Sequence, residues 1–230
     1  MTHSAVPIGN ENAQRFSAFR LVQTAAFIAF GATSIALALD IAEAARTFGR
    51  LWILPIIVVV AYAAADLLSG VVHFLADNFG SPETPLLGKA FVMPFRDHHI
   101  DPKGILRHPF MIANGNNCLV ALPPLMIVLF FVPVEETFTG YIFGTFFLAL
   151  CLAVFLTNQF HKWAHMDDPP ALIAWLQARG VILSKEHHDV HHASPFDTYY
   201  CITAGWWNPL LQRTRVFERI TPLLRKILPG

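Results

Sequence analysis

Histidine is the residue whose number and spacing first indicate chemistry in this chain. Eleven of the 230 residues are histidines, although 54% of the chain is hydrophobic and only 14% is charged. Ten of the eleven lie between Asp66 and His192. Because a neutral imidazole binds zinc, copper, iron or nickel through a ring nitrogen, this concentration predicts a metal site.

The segment 186–192, with the sequence EHHDVHH, carries the strongest signal. In a helix, His187 would pair with His191 and His188 with His192, with the two pairs turned about 100° apart. A single six-coordinate ion has too few positions for all the candidate imidazoles, whereas two adjacent ions would use most of them. The alternative, a solvated histidine-rich tail, leaves the other histidines unexplained.

Other histidines also stand at metal-binding spacings. His161 and His165 are four residues apart, so both would project to the same side of a helix, where the alternative is hydrogen bonding to lipid headgroups. His98 and His99 alone are a weaker metal-binding signal, which the other histidines strengthen.

Five residues form a narrow stripe along one predicted helix, at intervals of 4, 3, 4 and 3: Asp66, Gly70, His73, Asp77 and Gly80. The acids and the imidazole would face one interior site, and the glycines would admit a helix or a ligand. The alternative is a polar packing seam, but an ionisable group inside a membrane helix is usually functional.

The scarcity of charge identifies the elements that must position these residues. Segments 21–39, 111–134 and 137–160 contain no Asp, Glu, Lys or Arg, and segment 51–76 contains only Asp66. A helix needs about 17–25 such residues to cross a bilayer. This composition argues against a soluble enzyme, and 16 basic against 16 acidic residues argue against a nucleic-acid binder. Three cysteines without paired spacing argue against a disulfide scaffold.

The predicted fold is therefore an all-α, polytopic membrane bundle of four transmembrane helices with a cytoplasmic-side, histidine-rich, metal-binding cap. The four helices are predicted at 21–39, 51–77, 118–134 and 138–165, the third kinked by Pro123 and Pro124. Segments 171–183 and 199–211 are too short or too aromatic to span and are expected at the membrane interface. One domain is predicted over 1–230, comprising an amino tail (1–18), the bundle with its histidine loop (19–165) and the cap with its interfacial segments (166–230).

The distribution of basic residues predicts the orientation. Arg46 and Arg50 lie on the side of the two short hinges, and the other fourteen of the 16 lie in the amino tail, the second loop and the carboxyl segment. By the positive-inside rule, both termini and the metal site are cytoplasmic. A bacterial inner membrane and an endoplasmic-reticulum membrane fit equally well.

An imidazole-rich donor set favours iron over zinc here, because zinc is ordinarily satisfied by four ligands. Nine or ten histidines around two positions suit a di-iron centre. At the end of an apolar bundle, such a centre would direct O2 chemistry at a lipid chain. The sequence shows no flavin, nicotinamide or haem motif, so the electrons would come from a separate donor.

Five blocks of sequence resemble the Kua-type lipid desaturases, the plasmanylethanolamine desaturase family. They are PLLGKAF at 85–91, PFRDHHIDP at 94–102, TNQFHKW at 157–163, HHDVHHASP at 187–195 and YCITAGW at 200–206. The resemblance implies an integral membrane enzyme that oxidises the 1-O-alkyl chain of an ether phospholipid to the 1-alkenyl vinyl ether of a plasmalogen. It also implies two iron ions, O2 as co-substrate and an electron donor such as cytochrome b5 or a ferredoxin-type carrier.

The resemblance assigns roles to particular residues of this chain. Asp77 is expected to be catalytic, as a metal ligand or as the group that orients a histidine. Supporting roles are expected for His108 and Asn114, and the helical stripe described above gives Asp66 a possible supporting role. The expected iron ligands or near-ligands are His73, His98, His99, His161, His165, His187, His188, His191 and His192.

Substrate-binding residues remain unassigned. Arg96, Lys103 and Lys162 lie at the right depth to meet a phosphate, and ordinary positive-inside charge explains them equally well.

Several other functions share these features. An acyl-lipid fatty acid desaturase or a hydroxylase would use the same di-iron centre, although the match around Phe95 and Tyr200 favours the ether lipid. A non-enzymatic membrane metal or haem protein is a remote alternative. A transporter would need polar groups along a crossing path, whereas here they crowd one face.

Overall fold

The computed structural model describes residues 9–85 and 88–228, and the regular structure of this part of the chain is helical. The α-helices are, in chain order, α1 (Gly9–Phe48), α2 (Leu54–Asn78), α3 (Met93–Ile100), α4 (Phe110–Phe131), α5 (Phe138–Ala164), α6 (Ala171–Ala178), α7 (Lys185–Asp189), α8 (Asn208–Thr214) and α9 (Val216–Leu224). Short 3₁₀ segments at Leu51–Ile53 and Pro102–Arg107 and a π-helical turn at Gly88–Val92 connect them.

Four of these helices are long and apolar enough to cross a membrane, which confirms the predicted all-α bundle of four spans. The candidate spans are Phe19–Phe48, Leu51–Asn78, Phe110–Phe131 and Phe138–Ala164. Residues 1–8 of the predicted amino tail lie outside the described residues, and the rest of that tail begins α1. Pro55 lies in the first turn of α2, where a missing amide hydrogen costs nothing.

Two helix ends differ from the prediction for identifiable reasons. Helix α1 continues past residue 39 to Phe48, because Ile41 and Ala44 extend its buried face. The residue after it is Gly49, whose φ of 60° suits glycine. Helix α4 begins at Phe110, eight residues before the predicted start, and runs through Pro123 and Pro124.

The early start of α4 places a turn-like sequence, Asn-Gly-Asn-Asn at 114–117, inside a helix. Its side chains hydrogen-bond both within α4, where the Nδ2 of Asn114 donates to the Phe110 carbonyl, and to the neighbouring helix. The Nδ2 of Asn117 donates to the Val154 carbonyl at 2.8 Å, and the Nδ2 of Asn158 donates to the Ala113 carbonyl at 2.9 Å. These contacts join α4 to α5 and override the local preference for a turn.

Helix α5 is the centre of the bundle. Helices α1 and α4 pack against each other and against α5, and α2 packs on α5 from another side. Leu37, Leu125 and Tyr141 are completely buried between these helices. The outer faces carry exposed apolar side chains such as Ile28 and Phe130, at 65% and 66% exposure, which a lipid environment accommodates and water does not.

The cap comprises α3, α6 to α9 and their connections, and it lies where α2 and α5 end. Helix α7 is short and is capped by Ser184, whose Oγ accepts a hydrogen bond from the backbone N–H of His187 at 3.3 Å. Helix α9 packs on the end of α2, where the rings of Phe217 and Phe74 stack with centroids 4.4 Å apart. Trp175 on α6 and Trp206 are about half exposed, as an interfacial position would require.

Candidate metal centre

The structure brings eight of the nine histidines expected as ligands, together with Asp77, into two adjacent groups. The five-histidine group consists of His98, His161, His165, His188 and His192. The histidine–aspartate group consists of His73, Asp77, His99 and His191. Within each group, one potential ligand atom from every residue lies within 4.8 Å of all the others.

Each group draws on several elements of the fold. Helix α2 supplies His73 and Asp77, which lie one turn apart. Helix α5 supplies His161, and His165 is the residue that caps its C-terminal end. Helix α3 supplies His98 and His99, and α7 with the turn after it supplies the rest. Neighbouring residues of a helix point about 100° apart, so His98 serves one group and His99 the other.

The five-histidine group places ring nitrogens directly against one another. The Nε2 of His161 lies 2.8 Å from the Nε2 of His188 and 3.2 Å from that of His165. The Nε2 of His192 lies 3.1 Å from that of His188. Unprotonated nitrogens at these separations repel one another unless a proton or a cation lies between them, so this convergence fits a metal site.

The histidine–aspartate group is arranged around one carboxylate oxygen. The Oδ2 of Asp77 lies 3.1 Å from the Nε2 of His99, 3.3 Å from that of His73 and 3.6 Å from that of His191. The other oxygen, Oδ1, is buried without a hydrogen-bond partner among the described residues. Three imidazoles and a carboxylate are a donor set that divalent iron accepts.

Backbone carbonyls hold two of these histidines in the metal-binding tautomer. The Nδ1–H of His73 donates to the Tyr200 carbonyl at 3.1 Å, and the Nδ1–H of His191 donates to the Thr198 carbonyl at 2.7 Å. A carbonyl only accepts, so the proton must be on Nδ1, and Nε2 keeps its lone pair. Both Nε2 atoms are buried without a hydrogen-bond partner among the described residues. Metal-binding histidines commonly donate their other ring N–H to a backbone carbonyl in this way.

Burial keeps four of the clustered histidines neutral, which is the form that binds metal. Burial and the neighbouring imidazoles lower the pKa of His98 to about 2 and that of His165 to about 3. Burial lowers the pKa of His191 to about 3, although its bond to the Thr198 carbonyl opposes this. Burial and His99 lower the pKa of His192 to about 4.

These pKa values predict how the metal-free protein responds to acid. An unfolded histidine takes up its proton near pH 6.5, whereas folded His192 does so only near pH 4. Between these values the unfolded chain binds more protons, so stability is complete above about pH 6.5 and falls as the pH drops towards 4. We expect a lower melting temperature at about pH 5 than at about pH 7.5, in detergent with a chelator. An equal or higher value at pH 5 would contradict this expectation, and His192→Gln should narrow the difference.

The remaining predicted residues lie outside both groups. The Nε2 of His187 accepts from the Nδ2 of Asn208 at 3.1 Å, and its ring packs on Tyr199. His108 is exposed, and its carbonyl accepts from Lys162. Asn114 is buried and donates from Nδ2 to the Phe110 carbonyl at 2.9 Å.

Asp66 is also apart from both groups. Its carboxylate accepts hydrogen bonds from backbone N–H groups of the segment that follows Thr203.

The three basic residues considered for phosphate binding have partners within the chain. Arg96 donates from Nη2 to the Gly80 carbonyl at 2.8 Å, at the end of α2. Lys103 is 2.5 Å from Asp167, and Lys162 donates to the His108 carbonyl at 2.5 Å.

Position outside both groups predicts a mild phenotype for His187→Ala. We expect the purified variant to keep the metal content of the wild type, while its activity falls by less than about tenfold because Asn208 loses a partner. Metal analysis and product formation in the same preparation measure both. Loss of a metal ion would place His187 among the ligands after all.

Sequence reasoning missed the residues that surround the two groups. The contacts of the Thr198 and Tyr200 carbonyls do not depend on the type of side chain, so no sequence pattern predicts them. The rings of Phe95 and Phe196 lie 5.0 Å from those of His73 and His99, respectively. Phe95 belongs to the PFRDHH block, which was the only signal available for it.

Comparison with known proteins gives the family. The model of the lipid desaturase domain matches residues 62–228. The chain is 43% identical to plasmanylethanolamine desaturase of Myxococcus xanthus over 226 residues, 94% of this chain and 77% of that protein. It is 43% identical to plasmanylethanolamine desaturase 1 of Mus musculus over 172 residues, 73% of this chain and 64% of that protein.

A third relative bears a different name. The chain is 34% identical to chloroplastic fatty acid desaturase 4 of Arabidopsis thaliana over 161 residues, 69% of this chain and 48% of that protein. No solved structure matches the chain. With its histidine groups at the end of an apolar bundle, and a domain match over most of its length, this chain belongs to the lipid desaturase domain family.

Proposed function

We propose that this protein is a plasmanylethanolamine desaturase, which converts the 1-O-alkyl chain of an ether phospholipid to the 1-alkenyl vinyl ether of a plasmalogen. The observation that carries the proposal is the pair of histidine groups at the end of the apolar bundle that bears the cap. The 43% identity to the Myxococcus xanthus enzyme over 94% of the chain supports the ether lipid as substrate.

The proposed cofactor is a pair of iron ions, one held by the five-histidine group and one by the histidine–aspartate group. Convergent imidazoles, a carboxylate and buried ring nitrogens without partners fit this assignment. When bound, iron supplies with O2 the oxidising power that breaks an unactivated C–H bond, which no side chain provides.

The electron balance requires a partner. Desaturation takes two electrons and two protons from the alkyl chain, and reduction of O2 to two waters needs two more of each. These come from outside the chain, and we propose a small one-electron carrier of the cytochrome b5 or ferredoxin type. The proposed partners are thus an ether phospholipid and this carrier, with no nucleic acid.

The position of the histidine groups at the ends of the spanning helices favours a new double bond close to the lipid headgroup. A vinyl ether forms between the first two carbons after the ether oxygen, so the glycerol backbone must lie within a few bonds of the oxidant. His73 and His161 stand in the last turns of the spanning helices α2 and α5. A double bond in the middle of an acyl chain would require the chain to bend back to this level.

The residues that surround the two groups would keep water away from this site. His73 and His191 are completely buried, and Phe95 and Phe196 cover neighbouring imidazoles. The carbonyls of Tyr200 and Thr198 hold His73 and His191 in place before any substrate arrives.

We also propose that both termini and the cap face the cytoplasm of a bacterial cell or of a cell whose endoplasmic reticulum holds the enzyme. The excess of basic residues on the side of the cap supports this orientation.

Lipid analysis tests the proposed function. The chain is expressed in a host without plasmalogens that contains alkyl ether phospholipids, and its lipids are examined by mass spectrometry before and after acid treatment. We expect acid-labile vinyl ethers, and none with a matched His188→Ala variant.

Other products would redirect the assignment. New acyl double bonds without vinyl ethers would favour the second candidate, an acyl-lipid desaturase like the fatty acid desaturase 4 of Arabidopsis thaliana. A hydroxylated alkyl chain as the final product would indicate a hydroxylase.

A further inference from the structure

Asp66 is a completely buried carboxylate inside the second spanning helix, apart from both metal-binding groups. Its Oδ1 accepts hydrogen bonds from the backbone N–H groups of Ala204 and Gly205 at 2.8 and 2.9 Å. Its Oδ2 accepts from the backbone N–H of Trp207 at 3.3 Å. A carboxylate at this depth is costly unless it is hydrogen-bonded, so these three contacts define its role.

The three amides belong to the anchored loop, which we define as residues 198–208. Asn208 holds this loop from within, because its Oδ1 accepts from the backbone N–H of Cys201 at 2.8 Å and its Nδ2 donates to the Cys201 carbonyl at 3.0 Å. The Oγ of Ser69 accepts from the backbone N–H of Ile202 at 3.0 Å. Gly70 allows this approach, since a Cβ there would collide with the Sγ of Cys201.

The anchored loop reaches from Asp66 to the histidine–aspartate group. Its Tyr200 carbonyl accepts from the Nδ1–H of His73, and its Thr198 carbonyl accepts from the Nδ1–H of His191. Among the described residues, the side-chain hydrogen bonds of the five-histidine group do not involve this loop. Displacement of the loop would therefore remove direct hydrogen bonds from the histidine–aspartate group alone.

We propose that Asp66 is a positioning residue for the histidine–aspartate group, acting through the anchored loop to aim the Nε2 atoms of His73 and His191 at the metal. Asp66 precedes His73 by seven residues, about 10 Å along the helix, so it acts without touching the metal. The proposal rests on the proposed function only in that this group holds a metal ion.

Two substitutions loosen the loop in different ways. Asp66→Asn keeps the size of the side chain and one acceptor oxygen, but its NH2 group would face a backbone N–H. Asn208→Asp removes the donor to the Cys201 carbonyl. The matched control is Asp40→Asn in α1, which removes a carboxylate near the opposite end of the bundle.

Iron release from the full-length protein tests the proposal. Each variant is purified in detergent, loaded with ferrous iron without oxygen and mixed with a chelator, and the release is followed with time. We expect two slow phases for the wild type and for Asp40→Asn. For Asp66→Asn and Asn208→Asp, one phase should become about tenfold faster or more while the other keeps its rate.

A second readout needs neither metal nor activity. Nitrogen-15 NMR of histidine-labelled, metal-free protein reports which ring nitrogen carries the proton. We expect His73 and His191 to be protonated on Nδ1 in the wild type and to become a mixture of tautomers in Asp66→Asn.

Two results would overturn the inference. Unchanged release rates and tautomers in a stable Asp66→Asn protein would mean that Asp66 only packs the loop. Equal acceleration of both phases would mean that it supports the whole cap. The lipid test is separate, since absence of vinyl ethers would end the proposed substrate while leaving these results intact. If the wild type bound no iron, the tautomers alone would decide the role of Asp66.

Discussion

We expect replacement of His188 by alanine to abolish the proposed vinyl ether formation while the protein still inserts in the membrane. His188 is 1% exposed, and its Nε2 lies 2.8 Å from that of His161 and 3.1 Å from that of His192. Its loss removes one nitrogen donor from the middle of the five-histidine group. Loss of an outer contact of a metal site already costs about 10–100-fold, so we expect a decrease of at least about 100-fold.

The measurement is product formation per unit of membrane-inserted protein. Val190→Ala is a matched control, because Val190 is exposed and lies two residues away in the same segment. His165→Ala should behave like His188→Ala, since the Nε2 of His165 lies 3.2 Å from that of His161. Near-wild-type activity in either variant would remove that histidine from the proposed ligand set.

We expect replacement of Asp77 by alanine to have a comparably large effect on the other group. One oxygen of Asp77 lies between 3.1 and 3.6 Å from the Nε2 atoms of three histidines. Its removal leaves three neutral imidazoles without the carboxylate that balances the charge of the metal. We expect activity to fall at least about 100-fold and iron to fall from two ions to one per chain.

Iron content and product formation are measured on the same preparation of Asp77→Ala. Asp101→Asn is the control, because Asp101 is exposed and pairs with Arg107. Asp77→Asn, which keeps one oxygen, should lose less iron than Asp77→Ala. Retention of two iron ions with full activity in Asp77→Ala would show that the carboxylate neither binds nor orients the metal.

The sequence predicts the bundle well, because a long apolar run without charge has few alternatives to a spanning helix. It predicts the ends less well. The helix past residue 39 depends on Ile41 and Ala44 finding partners within the bundle, and the helix through Asn114 and Asn117 depends on bonds to α5. These tertiary contacts override local preferences that a single sequence displays.

Histidine spacing predicts part of the candidate site. His188 and His192 fall in one group, as a four-residue interval indicates, although α7 ends at Asp189. The same interval pairs His187 with His191, yet these two lie apart, because the side of α7 that meets the other helices is fixed by packing. The division of His98 and His99 between the two groups, by contrast, follows from the angle of about 100° between neighbouring residues of a helix.

The outer contacts of the metal-binding groups are the least predictable. Backbone carbonyls orient His73 and His191, and any residue can provide a carbonyl. Asp66 was visible as a charge inside an apolar run, but its hydrogen-bond donors belong to a loop that follows it by more than 130 residues.

We propose that two adjacent groups of side chains hold two iron ions at the end of this bundle. The most direct test of this proposal is the metal content of the purified full-length protein, together with its absorption spectrum. We predict two iron ions per chain and no haem absorption, falling to one ion in Asp77→Ala. Zinc without iron, or a bis-histidine haem spectrum, would contradict the claim.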